Sequence, residues 1–319
     1  MSLLSQIRKV VKGLFFGPAS IPEYCTLGLR DPQSEVGVWF HGLGAARDVT
    51  YSSVVACIRP FTIGIGFEGD CDPPVSNRSR YFLRFHERGG EARLLGEIGL
   101  RLKEAIPAGD GRLYLFETRD YNNYCLPRNL LWRRYLHYAY QRWRRSKPSG
   151  FRVVARELHA LFVFYICPRP VVLVSVVDGH LGNIFPMDLI GPVGAECFTL
   201  ALQTTSAAVP LMERSRRIAL GSVPAEQVAV AYELGKNHRK PCVDWDRLPF
   251  ATTASSAFGL PVPHFSLRVR EMQIENVRNM GSHKLFICRA IEDQRWADGL
   301  QLFFMHGFYH AWRERRAPL

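Results

Sequence analysis

The second half of the chain is built from short apolar runs that end at turn residues. Residues 171–177 form an almost wholly β-branched run, and the Asp178-Gly179 pair after it is a strong turn signal between two strands. The same pattern predicts three further strands, at residues 183–190, 198–202 and 218–223. A short helix around Met212 is predicted before the last of them. Together these elements predict a β-rich unit.

The first half mixes strand patterns with helical spacing. Apolar residues three and four apart predict helices over 94–106 and 129–145, and residues 153–164 are predicted to form a helix or a buried apolar segment. Strands are predicted at residues 24–29, 36–41, 49–58, 61–67 and 113–116. Lys147-Pro148-Ser149-Gly150 has the composition of a linker. We therefore predict a basic amphipathic helix over 1–22, an α+β domain of unknown role over 23–150, and a separate domain over 151–319.

One short segment is echoed between the two halves. Pro60-Phe61-Thr62-Ile63-Gly64-Ile65 is similar to Cys197-Phe198-Thr199-Leu200-Ala201-Leu202 in its order of apolar and hydroxyl residues. Duplicated units show such similarity at a series of positions. One similar segment does not establish a duplication, and a degenerate second barrel half stays an open alternative.

The charge balance favours anionic partners. The 319 residues include 41 Lys and Arg against 29 Asp and Glu, a formal net charge of +12. Nucleotides, nucleic acid and acidic membrane surfaces would all suit this excess. The 8 cysteines include no Cys-x-x-Cys pair, so we expect buried free thiols in a reducing compartment. No apolar run has the length of a membrane span and no signal peptide is evident, which makes the cytoplasm the expected location.

Two basic segments could either bind an anionic partner or pack on the body of the protein itself. From Leu3 to Phe15, apolar residues follow one face of a helix and Arg8, Lys9 and Lys12 the other, as in helices that lie on membranes or dock on a protein. The 129–145 helix interleaves aromatic residues with arginines, as single-strand nucleic-acid binders do. No recognised nucleic-acid module accompanies it. We favour packing on the protein for both helices and expect no nucleic-acid partner.

Most catalytic signatures are missing from the sequence. The segment from Gly64 to Gly69 has the spacing of a dinucleotide fingerprint, but Pro73 and Pro74 prevent the helix that this motif requires. No His-Glu-x-x-His cluster or Gly-x-Ser-x-Gly elbow occurs. His306 and His310 have the spacing of two ligands on one helix, but the sequence before His306 favours a strand, so no metal is expected.

Hydroxyl residues follow the strand predicted at 198–202. Thr204, Thr205 and Ser206 stand where this strand gives way to the short helix. Hydroxyls and backbone N–H groups at a helix N-terminus suit a phosphate. The alternative is that these residues only cap the helix.

A series of motifs in the second half occurs in a defined order. They are Pro168-Arg169-Pro170-Val171, Asp178-Gly179, Asn183-Ile184-Phe185-Pro186-Met187-Asp188-Leu189, Phe198-Thr199-Leu200-Ala201-Leu202, Gly259-Leu260-Pro261-Val262, Gly281-Ser282-His283-Lys284-Leu285-Phe286-Ile287 and Gly307-Phe308-Tyr309-His310. This order resembles the flavin reductase-like, FMN-binding split-barrel family. The resemblance implies that residues 151–319 form an antiparallel Greek-key split β-barrel. The expected fold is thus mainly β with α, with an α+β domain before the barrel.

The resemblance also implies a cofactor site by position. The strand from Asn183 to Leu189 would lie along the flavin ring, the 204–206 loop would meet the FMN phosphate, and His283 would hydrogen-bond near the cofactor or nicotinamide. The implied cofactor-binding residues are Asn183, Phe185, Pro186, Met187, Asp188, Thr204, Thr205, Ser206 and His283. His283 could instead be a structural histidine.

Two features of this implied site depart from the family pattern. The family often has a hydroxyl residue where this chain has Asp188, and a carboxylate there would disfavour negative charge growing on the flavin; pairing of Asp188 with an arginine is the structural alternative. The 204–206 loop has no basic residue. Charge for the FMN phosphate would have to come from Arg214, Arg216, Arg217 or a partner subunit, and the Lys236-Asn237-His238 segment could serve the nicotinamide phosphate.

The resemblance implies a flavin oxidoreductase with FMN as cofactor and NAD(P)H as co-substrate. It also implies a homodimer with the flavin at the subunit interface, and reduced flavin delivered to an acceptor or a partner oxygenase. Because the flavin carries the hydride, no catalytic acid or base is assigned. Two alternatives remain: a non-catalytic flavin- or haem-binding split barrel, and a peripheral membrane or nucleic-acid-binding protein that uses the basic helices.

Overall fold

The computed structural model describes residues 21–31, 34–42, 44–68, 80–89, 91–109, 111–144 and 154–316. Most of the helix predicted over 1–22, including its Leu3 to Phe15 face, and the linker predicted at 147–150 lie outside the described residues. The described part is mostly antiparallel β-structure with few helices. This confirms the expected mainly β fold.

The N-terminal half is a seven-stranded antiparallel sheet followed by two helices. Its sheet order is β3-β2-β6-β7-β8-β5-β4. The elements of this half are β1 (Tyr24–Leu29), β2 (Val36–His41), β3 (Arg47–Asp48), β4 (Ser53–Cys57), β5 (Thr62–Glu68), β6 (Tyr81–Glu87), β7 (Leu94–Ala108), β8 (Gly111–Asn123), α1 (Arg128–Arg144) and α2 (Ala155–Phe164). Helix α1 and helix α2 confirm the helical spacing at 129–145 and 153–164.

The C-terminal half contains a second seven-stranded antiparallel sheet. Its order is β11-β10-β14-β17-β18-β13-β12. The elements are β9 (Arg169–Pro170), β10 (Val172–Asp178), β11 (Leu181–Met187), β12 (Ile190–Pro192), β13 (Cys197–Gln203), α3 (Ala208–Ser215), β14 (Arg217–Ser222), α4 (Val228–Leu234), β15 (Thr252–Ala254), β16 (Pro261–Pro263), β17 (Arg268–Asn279), β18 (His283–Arg295), β19 (Gln301–His306) and α5 (Gly307–Glu314). The turn predicted at Asp178-Gly179 joins β10 to β11, and Gly179 has a φ of 61°.

The helix predicted over residues 94–106 is wrong. These residues lie in the 15-residue strand β7, which pairs with β6 and β8. Burial alternates along its second half, and Ile98 and Ile106 are both buried. Positions spaced by four residues fit a helix and also the two-residue period of a strand. Gly96 and Gly99 inside the segment disfavour a helix, and the sheet supplies two partners for its backbone.

The two halves share one hydrophobic core. A single cluster of buried residues includes side chains from both sheets, such as Ile63 and Phe85 on one side and Phe185 and Phe286 on the other. A three-stranded sheet of order β1-β19-β9 pairs the first described strand with the last one. The cysteines of the described residues are free and mostly buried, including Cys288, as the sequence predicted. The division into domains at residue 150 stays a prediction.

Arg169 is a buried cation that joins the halves. Its Nη1 donates to the carbonyl oxygens of Thr50 at 3.2 Å and Ser53 at 2.8 Å, and its Nη2 donates to Ser53 Oγ at 3.2 Å. The guanidinium lies 4.0 Å from the centre of the Phe164 ring. Burial lowers the pKa of Arg169, but a guanidinium stays charged in proteins. Arg169 thus ties β9 to the loop between β3 and β4 and to the first residue of β4.

Replacing Arg169 by alanine should lower the free energy of unfolding by about 3 kcal/mol or more, because the change leaves a cavity and unpaired buried carbonyl groups. Denaturant unfolding would measure the loss. Arg214, whose side chain is 53% exposed, pairs with Asp178 and provides the control. Arg214→Ala should cost less than about 1 kcal/mol, as exposed ion pairs do. Equal losses for the two variants would contradict the role given to Arg169.

Candidate functional site

The main cavity lies where β11 and β13 end and β18 begins. It has a volume of about 420 Å³, within the usual range of small-molecule sites. An adjoining recess of about 280 Å³ shares Pro186, Met187, Asp188 and Phe304 with it. The strand ends leave backbone and side chains of the sheet edge facing the cavity. Six of the nine residues predicted to bind a cofactor line it: Pro186, Met187, Asp188, Thr205, Ser206 and His283.

Asn183 and Phe185 lie behind the cavity wall and have structural contacts. Asn183 Nδ2 donates to the carbonyl oxygens of Asn237 at 3.1 Å and Lys240 at 2.8 Å. In return, Asn237 Nδ2 donates to the carbonyl oxygen of Ile184 at 2.8 Å. The fully buried Phe185 packs on the His238 ring, with 5.1 Å between ring centroids. These contacts latch the 3-10 turn Gly235–Arg239 onto β11.

The 204–206 loop is held from two sides. Thr204 does not line the cavity; its N–H donates to the carbonyl oxygen of Ser282 at 3.0 Å. Ser206 Oγ donates to the carbonyl oxygen of His238 at 3.1 Å and accepts from the N–H of Ala208 at 3.4 Å, in the first turn of α3. The exposed Thr205 lines the cavity. Ser206 therefore connects the first turn of α3 to the backbone of His238, while Thr205 lies at the edge of the cavity.

Asp188 is hydrogen-bonded to a tyrosine. Tyr165 Oη donates to Asp188 Oδ2 at 2.6 Å. Burial raises the pKa of Asp188, although the Tyr165 hydrogen bond and the nearby charge of Arg169 act in the opposite direction. Burial and the carboxylate together raise the pKa of Tyr165. Among the described residues, no arginine forms an ion pair with Asp188. The partner of Asp188 is Tyr165 and not the arginine of the structural alternative.

His283 is buried at the base of the cavity. The N–H of Ile58 donates to His283 Nδ1 at 3.4 Å, and Ser282 Oγ lies 2.8 Å from the same nitrogen. Burial lowers the pKa of His283 from 6.5 to about 4. Since Nδ1 accepts a backbone hydrogen bond, the neutral ring holds its proton on Nε2. His283 therefore offers a neutral donor.

The cations predicted for a phosphate lie elsewhere, and one that was missed lies at the cavity. Arg214 pairs with Asp178, and the Arg217 guanidinium lies 5.3 Å from the centre of the Phe258 ring. Neither residue lines the cavity, nor does Arg216. Arg239, one residue beyond the Lys236-Asn237-His238 segment, is exposed and does line it. The hydrogen bonds of the Asn183 latch, together with the one from Ser206 to the carbonyl oxygen of His238, bring this residue to the loop at Thr205.

Aromatic residues from outside the predicted set form one wall. Tyr24 stacks on Phe304, with ring centroids 4.9 Å apart and an interplanar angle of 17°. Tyr165 meets Phe304 edge-on at 5.5 Å. Ile58 and Leu161, from the N-terminal half, complete the wall. No local pattern in the sequence signals these contacts, since Tyr24 and Phe304 meet through the pairing of β1 with β19.

The residues present fit a phosphorylated flavin. The aromatic and aliphatic wall suits a planar ring system. The Thr205 hydroxyl and the Arg239 guanidinium, which both line the cavity, suit a phosphate. Neutral His283 and the Asp188 carboxyl offer a donor and an acceptor in the same cavity. The cavity can thus orient a flat, polar ligand that carries an anionic tail.

The two histidines with metal-ligand spacing have other roles. His306 ends β19, and its Nδ1 accepts from the N–H of Phe308 at 3.1 Å at the start of α5. His310 lies within α5 and is 3.4 Å from the Glu314 carboxylate. In the described ranges, no three His, Cys, Asp or Glu side chains are grouped so that they could hold a metal ion. Among the described helices, none is both long enough and apolar enough to cross a membrane.

Known proteins were compared with the chain by sequence and by structure. No curated protein matches its sequence. Among solved structures, an FMN-binding protein from Thermus thermophilus is 21% identical over 40% of this chain and 71% of its own, with a TM-score of 0.36. The NADH:FAD oxidoreductase SgcE6 of Streptomyces globisporus is 16% identical over 50% of this chain and 95% of its own, with a TM-score of 0.43. BorF, the flavin reductase component of a bacterial two-component tryptophan halogenase, is 17% identical over 47% and 93%, with a TM-score of 0.42.

The sequence profile of one family matches the half of the chain that holds most of the cavity. The match spans residues 164–313 and includes β11, the 204–206 loop and His283. It confirms the resemblance seen in the sequence. Residues 164–313 of this chain match the model of the flavin reductase like domain.

Proposed function

We propose that the chain binds FMN in the main cavity and transfers a hydride from NADH or NADPH to it. The observation that carries this proposal is the cavity itself, where segments of the flavin reductase like domain form one continuous surface from an aromatic wall to a cationic edge. Reduced flavin would pass to an acceptor or to a partner oxygenase.

A bound flavin supplies the redox chemistry, because its ring accepts a hydride from a nicotinamide. The chain's own residues have a positioning task. The Tyr24, Tyr165 and Phe304 rings exclude water from one side of the cavity. His283 supplies a neutral imidazole to the lining of the cavity. Thr205 and Arg239 hold the phosphate, which fixes the direction of the ring.

The Asp188 carboxyl group sets the electrostatics of the wall. Tyr165 holds it at 2.6 Å, so one oxygen is already engaged and the other can accept from an N–H of a ring. Burial raises its pKa, which makes proton uptake easier than for an exposed aspartate. A carboxyl group that takes up a proton more readily opposes developing negative charge less than a fixed anion would. Asp188 is therefore compatible with a flavin that gains electron density.

The first expectation is flavin binding with turnover. Purified protein titrated with FMN should show the flavin absorbance doublet and quenched flavin fluorescence. Addition of NADH or NADPH should then bleach the doublet as the nicotinamide is oxidised. Binding without nicotinamide oxidation would favour the non-catalytic alternative. No binding of FMN at all would overturn the proposal.

The second expectation concerns the phosphate. Arg239→Ala should weaken FMN binding about threefold to tenfold, as loss of one exposed charge-assisted contact does. Riboflavin, which has no phosphate, should bind the variant and the wild type equally. Arg216→Ala is the matched control, because Arg216 does not line the cavity. An equal loss for FMN and riboflavin would mean that Arg239 does not meet the phosphate.

The third expectation is a pH dependence that comes from His283. Burial lowers the pKa of the folded-state ring from 6.5 to about 4, so the unfolded chain takes up this proton first as pH falls. The stabilisation is complete above pH 6.5 and declines between pH 6.5 and about 4, by up to about 3 kcal/mol. His283→Gln should remove this part of the slope in unfolding experiments, while the exposed His264→Gln should not. Identical slopes for the wild type and His283→Gln would show that His283 does not cause it.

A further inference from the structure

The two seven-stranded sheets have the same strand order. When the strands β2 to β8 are matched in chain order to β10, β11, β12, β13, β14, β17 and β18, the order β3-β2-β6-β7-β8-β5-β4 becomes β11-β10-β14-β17-β18-β13-β12. That is the observed order of the second sheet, and all neighbours are antiparallel in both. Strands of one sheet can be ordered in thousands of ways. The agreement at all seven positions indicates a repeated unit.

The sequence echo falls at matched positions in the two sheets. Strand β5 matches β13 in this correspondence. The echoed residues Phe61 to Ile65 begin one residue before β5 and lie in it, and Phe198 to Leu202 lie in β13. Both long hairpins also turn at a glycine with positive φ: Gly109 between β7 and β8, and Gly281 between β17 and β18. Sequence and topology therefore place the repeat in the same register.

The contacts between the two units are reciprocal. The turn after β4 meets the start of β18: the N–H of Arg59 donates to Ser282 Oγ, and the N–H of Ser282 donates to the carbonyl oxygen of Arg59, both at 3.0 Å. In the matched contact, the turn after β12 meets the start of β8, since a Cβ on Gly111 would lie 3.3 Å from the carbonyl oxygen of Val193. Reciprocal pairs of this kind characterise a two-fold interface between like subunits.

Two cavities lie at corresponding positions in the two units. The main cavity is bounded by the ends of β11 and β13 and by Ile58, which follows β4. A second cavity of about 470 Å³ is bounded by residues 47–52 at the end of β3, by Gly66 and Phe67 in the last part of β5, and by residues 192–194 at the end of β12. Each cavity thus lies on one unit and takes part of its wall from the other.

We propose that the N-terminal half is a diverged second copy of the barrel that takes the place of a partner subunit, so that one chain completes its own flavin cavity. The proposal rests on the proposed function for the identity of the ligand. Tyr24, Ile58 and Leu161 are the side chains that the N-terminal half contributes to the main cavity. The homodimer implied by the family resemblance is then not needed to build the site.

The test asks whether the cavity forms within one chain or between two. Ile58→Glu changes the wall from the N-terminal copy, and Thr205→Glu changes the exposed residue at the phosphate end of the C-terminal copy. Each should weaken FMN binding about tenfold or more, through an unpaired charge beside the ring or the phosphate. Ile291→Glu is the control, because Ile291 is 39% exposed on β18 and does not line the cavity.

The two variants are then co-expressed and their FMN binding is measured. If the site forms within a chain, every chain carries one defect and binding stays as weak as in the single variants. If the site forms between chains, mixed dimers hold one intact site, and about a quarter of all sites regain wild-type affinity. Restored binding would overturn the proposal.

Light scattering on the full-length wild-type protein gives a test that does not depend on flavin. A mass near 36.3 kDa supports the proposal, since it shows that the chain is a monomer. If the wild type binds no FMN, the proposed function fails, and the mass alone decides the present inference. A stable dimer at low protein concentration would then overturn it. The same measurement on the variants, with their thermal unfolding, shows that they are folded.

Discussion

The packing of the two sheets on each other is the constraint on which the rest of the structure depends. Arg169 shows most directly that this packing has an energetic cost, because its charge is buried between the two halves, where it donates hydrogen bonds to the carbonyl groups of Thr50 and Ser53. A buried cation is retained only when hydrogen bonds and ring contacts offset its lost hydration. The Phe164 ring, 4.0 Å away, provides the ring contact. The geometry of the cavity follows, since Tyr24, Ile58 and Leu161 come from the N-terminal half and the strand ends come from the C-terminal half.

Local patterns predicted much of the fold. Strands β1 and β2 and helix α1 were found from apolar periodicity, and the order of motifs identified the barrel. Helix spacing over 94–106 was misleading because the period of a strand also fits Ile98 and Ile106. Pairing of β7 with β6 and β8 decides between helix and strand, and this pairing is not visible in the local spacing. Tertiary pairing overrides local spacing in such segments.

The candidate site was predicted where it lies on continuous motifs and missed where distant elements meet. Pro186, Met187 and Asp188 occupy adjacent positions at the end of β11, so a motif captures them. Tyr24 reaches the cavity only because β1 pairs with β19. Arg239 reaches it through the hydrogen bonds of Asn183 and Asn237 with the facing backbone and through the bond from Ser206 to the carbonyl oxygen of His238. The spacing of residues in the sequence does not indicate these contacts. Asn183 was therefore predicted to bind the cofactor, whereas its amide hydrogen-bonds to the turn that carries Arg239.

A tandem arrangement also explains why the two cavities differ. In a homodimer both sites are identical, whereas two copies in one chain can diverge independently. Residues 223–267 connect β14 to β17 and include the turn that carries His238 and Arg239, but the matched connection from β6 to β7 spans only residues 88–93. The end of the cavity that we propose for the phosphate is therefore present in the C-terminal half alone among the described residues. Covalent linkage keeps the second wall at a high effective concentration, so the N-terminal copy can retain a purely structural role while one cavity keeps the ligand-binding groups.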